Sequence, residues 1–335
     1  MSTLLILIEF AACAAVIAVA GSMLSLQGDI IASKSKLSRS WVGLVLIATA
    51  TSLPELFTGL SSVTLTDAPN IAVGNILGSC LFNLVMVVLL DALNRDEPFF
   101  RLADQGHILS AGFGAILVGF VGASLLIERE VFVPSLWHIG LSTPILMLVY
   151  FVATRASFLY QHRHGDVPPE IDPYPDTTLR RAIRRYVIAA AFVVAAGILL
   201  PFVGVRLADN LGLQTTFVGT LLIAAATTLP ELVVVIAAYK LGATDLAMAS
   251  ILGSNLFDIF ILSIDDLAYN NGPLLATASP TNAVTAFAIV VMTGIVIVGL
   301  VYRPRTRLAG TISWTSIALL AVYLLSTYVI FLHGV

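Results

Sequence analysis

The sequence predicts an all-α polytopic membrane protein with ten transmembrane helices, arranged as two inverted-topology five-helix repeats. Three observations lead to this fold class: the composition, the number of long apolar segments and an internal repeat. Of the 335 residues, 58% are hydrophobic and only 11% are charged, and the mean hydropathy is +0.97. Soluble domains carry about 25% charged residues, so the composition indicates an integral membrane protein.

Ten segments are long and apolar enough to cross a bilayer, which takes about 20 helical residues. None shows the alternation that is typical of β-barrel strands, so each is expected to be helical. The first lacks a basic leader and is too long for a signal peptide, so we expect it to remain in the protein. The predicted spans are 4–26, 41–63, 70–93, 107–127, 135–158, 186–207, 215–239, 245–268, 283–301 and 311–333.

A polar connection divides the ten spans into five and five. The predicted organisation is a first repeat at 1–158, a linker loop at 159–185 and a second repeat at 186–335. All but two of the 17 Lys and Arg residues lie in alternate connections, the exceptions being Arg129 and Arg206. The positive-inside rule therefore places the linker in the cytoplasm and both termini outside it.

Two pairs of similar segments define the internal repeat. "WVGLVLIATATSLPEL" at 41–56 matches "FVGTLLIAAATTLPEL" at 217–232, and "ILGSCLFNLVMVVLLDAL" at 76–93 matches "ILGSNLFDIFILSIDDLA" at 251–268. Each unit has an odd number of spans, so the second unit must enter the membrane in the opposite orientation. Inverted repeats of this kind build transporters whose binding site lies near the midplane, between interrupted helices.

Each repeat places an acid beside a proline midway along an apolar span. Glu55 follows Pro54, and Glu231 follows Pro230 at the equivalent position. A charge at the bilayer centre costs at least about 2.5–3.5 kcal/mol, so such a residue normally faces a cavity or a partner. We therefore predict that the two glutamates face each other at a midplane site.

The same turns supply oxygen atoms. Proline leaves a carbonyl one turn earlier without its donor, and we expect free carbonyls around Ala48 and Ala224. Hard oxygen donors around a carboxylate suit Na⁺ or Ca²⁺ better than a soft metal. The hydroxyls predicted to belong to these turns are those of Thr51, Ser52, Thr227 and Thr228.

The third and eighth spans add a second pair of polar clusters. Ser79 and Asn83 share one helical face at i, i+4 spacing, as do Ser254 and Asp258. Three carboxylates and several hydroxyls exceed what a neutral solute would need, so a cation site is the prediction. Asp91, Asp265 and Asp266 lie near span ends and are interpreted as interfacial residues, with a role in ion entry as the alternative.

The motifs "ATSLPEL", "GNILGSCLFN", "ATTLPEL" and "ILGSNLFD" resemble the α-repeats of the calcium/cation antiporter superfamily, most closely its Na⁺/Ca²⁺ exchanger branch. The resemblance implies alternating access, exchange of Na⁺ for Ca²⁺ and no cofactor. It implies that Glu55 and Glu231 hold Ca²⁺ directly, and that Asn83 and Asp258 occupy the last motif position. The resemblance assigns the Na⁺ sites to Thr51, Ser52, Thr227, Thr228, Ser79, Ser254 and the carbonyls of Ala48 and Ala224.

Several positions depart from the family pattern. They are Ala50, Ala226, Thr228, Cys80 and Ser250. These departures leave the coupling ion open, and the alternative is an antiporter coupled to H⁺ or K⁺, or one that carries Mg²⁺ or Mn²⁺. The acidic motif typical of the H⁺-coupled branch is absent from the sequence, which favours Na⁺.

Other classes of function fit the sequence less well. A channel would not require two inverted halves around one acidic site. An intramembrane protease would require Y-D with G-x-G-D, or G-x-S-G with a histidine, and the sequence contains neither set, so no enzyme activity is predicted. The expected partners are Ca²⁺ and Na⁺ as substrates and membrane lipid, without nucleic acid, and the expected location is the plasma (cell inner) membrane.

Overall fold

The computed structural model describes residues 3–34, 48–94, 97–130, 135–164, 174–304, 306–308 and 312–333. This part of the chain is almost entirely helical. Its helices are α1 Thr3–Lys34, α2 Ala48–Thr51, α3 Leu53–Thr64, α4 Pro69–Leu93, α5 Phe99–Leu102, α6 His107–Glu130, α7 Ser142–His164, α8 Leu179–Leu211, α9 Thr215–Phe217, a π-helical segment Val218–Ile223, α10 Ala224–Thr227, α11 Leu229–Lys240, α12 Thr244–Ala268, α13 Leu274–Thr277, α14 Asn282–Tyr302 and α15 Trp314–His333. Its strands are β1 Ser135–Leu136, β2 Ile139–Gly140, β3 Arg307–Leu308 and β4 Ile312–Ser313.

Within the described ranges, eight helices are long and apolar enough to cross a membrane, and a bent pair makes a ninth. The chain is therefore a multi-pass integral membrane protein, as its composition predicts. Predicted span 41–63 begins in residues 35–47, which lie outside the described part. The count of ten helices, the inverted repeat and the division at residues 159–185 thus stay predictions.

Two predicted spans begin later than the hydropathy indicates. Residues 135–140 contain the antiparallel hairpin β1–β2, which precedes α7, and the hairpin β3–β4 precedes α15 in the same way. At the central connection, α8 begins at Leu179, before the predicted span 186–207. Thr178 caps it, because the Arg181 N–H donates to Thr178 Oγ1 at 3.3 Å, a typical N-cap arrangement.

Two buried aspartates hold these hairpins against the helices. Asp91 Oδ1 accepts the Phe99 N–H at 2.9 Å, and Asp91 Oδ2 accepts the Ser313 N–H at 2.8 Å. Asp266 Oδ1 accepts the Leu274 N–H at 2.6 Å, and Asp266 Oδ2 accepts the Gly140 N–H at 3.0 Å. Both side chains are buried in protein, and their interpretation as residues at the membrane interface stays a prediction. They satisfy backbone groups that would otherwise be unpaired.

The two proline-containing spans are interrupted. Helices α2 and α3 meet at Ser52, and α10 and α11 meet at Thr228. The second interruption includes a bend of 45°. Pro54 and Pro230 each lie in the first turn of the following helix, where a missing N–H costs nothing. Each interruption creates a helix N-terminus inside the protein.

The most buried spans, α4 and α12, lie at the centre and pack against each other and against α3. Helix α4 also packs on the π-helical segment, where a Cβ added to Gly78 would overlap the Thr220 carbonyl and the Ala224 side chain. The glycine therefore permits a close approach between the two helices. Helices α1, α6, α8 and α14 surround this centre and expose large apolar side chains.

We expect Asp91→Ala and Asp266→Ala to destabilise the protein by similar amounts. A buried hydrogen bond to a charged group contributes roughly 1.5–3 kcal/mol, and each variant loses several such bonds. The apparent melting temperature of the purified protein in detergent measures the effect. Asp209→Ala, at an exposed carboxylate, is the matched control, and equal melting temperatures for all three variants would contradict the assignment.

Candidate functional site

Three carboxylates lie at the centre of the molecule. Glu55 is in the first turn of α3, Glu231 is in the first turn of α11, and Asp258 is in the middle of α12. Their side chains are 0%, 2% and 1% exposed, respectively. Both glutamates sit at helix N-termini, whose unpaired N–H groups and dipole favour negative charge. The interrupted helices thus stabilise two acids that a continuous apolar helix would not.

Hydroxyls cross from each repeat to the glutamate of the other. Ser52 Oγ donates to Glu231 Oε1 at 3.4 Å, and Thr228 Oγ1 lies 3.5 Å from Glu55 Oε1. Ser52 and Thr228 occupy equivalent positions in the two matching segments. Thr51 likewise interacts with Glu231, and Thr227 with Glu55. The two halves therefore share one site, and each half places hydroxyls beside the acid of the other.

One oxygen of each acid has no hydrogen-bond partner. These atoms are Glu55 Oε2, Glu231 Oε2 and Asp258 Oδ1, all of them buried. In the part of the chain that the structure describes, the salt bridges involve other residues. A buried carboxylate without a basic partner is costly unless a cation or a proton neutralises it. The arrangement is therefore suited to binding cations.

The described residues contain no group of three or more His, Cys, Asp and Glu side chains arranged to hold a metal ion. A cation bound in this conformation would therefore depend on hydroxyl and carbonyl oxygens as well as on carboxylates. Ser79 contributes such a hydroxyl, which donates to Glu55 Oε1 at 3.3 Å, and the Thr228 Oγ1 oxygen lies 2.9 Å from Ser79 Oγ. These oxygens form one connected polar cluster with Glu55.

The predicted free carbonyl of Ala224 already has donors. It accepts the Thr228 N–H at 3.0 Å and the Thr228 hydroxyl at 2.6 Å, and Thr227 Oγ1 lies 3.2 Å from it. The expectation that proline frees this atom is wrong in this conformation, because α10 retains its own hydrogen bonds up to Thr228. Its role as an ion ligand stays a prediction. Ala48 is the first residue of α2, as Ala224 is of α10.

Asn83 lies in the site and contacts Asn255, which is not among the predicted site residues. Its Nδ2 donates to Asn255 Oδ1 at 3.0 Å, while its own Oδ1 has no partner. Cys80 lies 3.9 Å from Asp258 Oδ2, measured from Sγ. The hydroxyl of Ser254 is buried without a partner. The polar groups of α4 and α12 therefore meet at the same level of the bundle.

Sequence reasoning missed two amides of this cluster. Asn75 Oδ1 accepts the Thr227 hydroxyl at 3.0 Å, and Asn255 accepts from Asn83. Both residues stand inside the quoted motifs, Asn75 in "GNILGS" and Asn255 at the repeat position of Cys80. A buried amide inside an apolar span was a sufficient signal for either residue.

The two alanines that depart from the family pattern pack away from the carboxylates. Ala50 is fully buried and packs with Leu24 and Ala189. Ala226 packs in the hydrophobic cluster formed by α1, α8 and the π-helical segment. Neither added methyl group therefore enters the polar cluster, and the departures that touch it are Thr228 and Cys80.

Comparisons with known proteins identify the family and the fold. The family model described as sodium/calcium exchanger protein matches residues 5–159 and 185–332. The sodium/calcium exchanger MaX1 of Methanosarcina acetivorans is 26% identical over 270 residues, which cover 71% of this chain and 76% of MaX1. Inner membrane protein YrbG of Escherichia coli is 28% identical over 241 residues, covering 68% and 72% of the two chains.

A solved structure of the sodium-calcium exchanger NCX_Mj has the same fold. The TM-score is 0.61 at 21% identity, and the match covers 98% of this chain and 99% of NCX_Mj. The family model covers most of the chain, and the structural match extends over nearly all of it. The chain therefore belongs to the sodium/calcium exchanger family of membrane cation antiporters.

Proposed function

We propose that this antiporter exchanges Na⁺ for Ca²⁺ by alternating access, at a midplane site between two inverted five-helix halves. The observation that carries the proposal is the reciprocal arrangement of Glu55 and Glu231. Each acid is buried at an interrupted helix, each has a hydroxyl of the opposite half within 3.5 Å of one carboxylate oxygen, and each keeps its other oxygen without a hydrogen-bond partner among the described residues. Two such charges match one divalent cation.

Competition for the same oxygens would couple the two ions. Ca²⁺ neutralises the charges of Glu55 and Glu231, and Na⁺ ions would occupy those carboxylates together with neighbouring hydroxyls. The same carboxylates cannot bind Ca²⁺ and Na⁺ at once, so binding of one ion releases the other. Hydroxyls suit both ions, because a Thr or Ser that donates to a carbonyl or a carboxylate still has lone pairs to offer.

The protein should not readily switch between its outward-open and inward-open states while the site is empty. Without ions, three carboxylates are buried together with no basic partner among the described residues. Rearranging the halves around unpaired like charges would carry an electrostatic penalty. The bound ions remove that penalty, so movement of the halves is tied to loading.

One observation favours a second candidate, an antiporter coupled to H⁺ or K⁺ or selective for another divalent ion. Cys80 places a thiol where the family has an amide, and its Sγ lies 3.9 Å from Asp258 Oδ2. A thiol is a weaker ligand for hard cations than an amide oxygen. The number and identity of the coupling ions would change first at this position.

Glu55→Gln and Glu231→Gln should each abolish most Ca²⁺ exchange, because the amide keeps the shape but removes the charge. Losing one partner of a buried ion pair costs about 3–5 kcal/mol, which corresponds to roughly 100-fold or more in affinity. Uptake of labelled Ca²⁺ into proteoliposomes measures the loss. Glu97→Gln, at the half-exposed partner of Arg101, is the control, and wild-type exchange in either site variant would refute the role.

Ca²⁺ flux in proteoliposomes should follow an imposed Na⁺ gradient and ignore K⁺ and H⁺ gradients of equal size. The expected result follows from hard oxygen ligands that Na⁺ and Ca²⁺ can share. Gradients are imposed one at a time on the same preparation, with protein-free vesicles as the control. A flux that follows K⁺ or H⁺ instead would replace Na⁺/Ca²⁺ exchange with the second candidate.

Ser52→Ala and Thr228→Val should weaken exchange to a similar, moderate degree. Each variant removes one hydroxyl from the glutamate of the opposite half, and a single hydrogen bond contributes about 0.5–1.5 kcal/mol. The half-saturating Ca²⁺ concentration should rise about two- to tenfold in both. Ser22→Ala, whose hydroxyl bonds to its own helix at the Ala18 carbonyl, should match wild type. A response from only one member of the pair would contradict reciprocity.

A further inference from the structure

Asp265 is a buried acid that the central site does not include. It lies near the end of α12, its side chain is 0% exposed, and both carboxylate oxygens lack a hydrogen-bond partner. Its neighbour Asp266 is equally buried but accepts the N–H groups of Leu274 and Gly140. A structural role of the kind that explains Asp266 therefore does not explain Asp265.

The carboxylate of Asp265 lies against Gly59 of α3. A Cβ added at Gly59 would overlap both Oδ atoms. Gly59 lies one turn beyond Glu55, about 6 Å along the helix, and Asp265 lies two turns beyond Asp258, about 10 Å along it. Positions i, i+4 and i, i+7 share a helical face. Asp265 therefore lies on the same helical face as Asp258, further along α12 from the central carboxylates.

Helix α3 carries buried hydroxyls along this same line. Thr58 and Ser62 lie on the face of Glu55 at i+3 and i+7, and both are 0% exposed. Thr58 Oγ1 has no hydrogen-bond partner. A polar stripe thus runs from Glu55 towards the end of α3, past the carboxylate of Asp265.

The other repeat has no such stripe. Asp265 corresponds to Leu90 in the matching segments, and the offset of 176 residues between 41–56 and 217–232 relates Gly59 to Val235 and Ser62 to Ala238. All three counterparts are buried in the main hydrophobic core. The central site is nearly symmetric between the halves, whereas this extension exists on one side of it alone.

That side is the one predicted to face outward. The ends of α3 and α12 lie together, because Asn271 Nδ2 donates to Asp67 Oδ1 at 3.0 Å just beyond them. The charge distribution places both of these connections outside the cytoplasm. The stripe therefore lies between the central site and the predicted outer surface.

We infer that Asp265 is a separate binding site for a monovalent cation on the route between the outer surface and the central carboxylates. A single carboxylate is neutralised by one positive charge, whereas a divalent ion would leave an unbalanced charge in a buried environment. Under the proposed function, on which this step rests, the cation is Na⁺. Gly59 provides the space in which the carboxylate sits beside the polar stripe.

Asp265→Asn should raise the half-saturating Na⁺ concentration at the outer face, by about fivefold or more, because one charged ligand is lost. Right-side-out vesicles report the outer face, and everted vesicles of the same cells report the inner face, which should not change. Ca²⁺/Ca²⁺ exchange, which needs no Na⁺, should be retained and shows that the central site is intact. Asp245→Asn, at the opposite end of α12, is the control and should leave the outer half-saturation unchanged.

Gly59→Ala is a second test that leaves the charge in place, because the added methyl group displaces the carboxylate. It should shift the outer Na⁺ dependence in the same direction, and it decides the matter if Asp265→Asn does not fold. Wild-type Na⁺ dependence in these variants would show a permanently protonated, structural carboxyl and overturn the inference. If flux follows K⁺ or H⁺, the proposed function fails, and the same comparison with that ion still tests Asp265.

Discussion

The burial of carboxylates that have no basic partner among the described residues is the constraint on which the rest of this structure depends. Glu55, Glu231 and Asp258 are almost completely removed from solvent. Helix N-termini and nearby hydroxyls stabilise the two glutamates, while each of the three acids keeps one oxygen without a hydrogen-bond partner in the described part of the chain. Partial stabilisation of this kind keeps the acids in a membrane and leaves the remaining energy to be supplied by a bound cation.

The interruptions of two spans and the glycines of α4 follow from that requirement. A helix N-terminus at the midplane needs a broken span, and the prolines make the break without orphaning a further N–H. The unpaired backbone groups at the break must then be enclosed by protein, since lipid cannot form hydrogen bonds with them. Gly78 permits α4 to approach the π-helical segment closely enough to do so. Near the ends of α4 and α12, Asp91 and Asp266 accept hydrogen bonds from backbone N–H groups of neighbouring segments.

Hydropathy and the internal repeat predicted most of the helices and the central pairing of Glu55 with Glu231. Both signals report burial and spacing, which a sequence shows directly. The hairpins before α7 and α15 were missed because two-residue strands leave no periodic pattern. The donors on the Ala224 carbonyl were missed because a proline reveals only which N–H is absent. Asn75 and Asn255 were missed because their partners lie on other helices, far away in the sequence.

The departures from two-fold symmetry show where the halves differ in task. The proposed exchange uses one central site from both faces, and the hydroxyls of Ser52 and Thr228, each beside the glutamate of the opposite half, would suit such a site. The routes to that site have no such need, since the solutions on the two sides of a membrane differ. A polar stripe with Asp265 on one route, and Leu90 with Val235 on the other, would give the two routes different affinities for ions. Selection can therefore adjust access from one face while the shared central site stays unchanged.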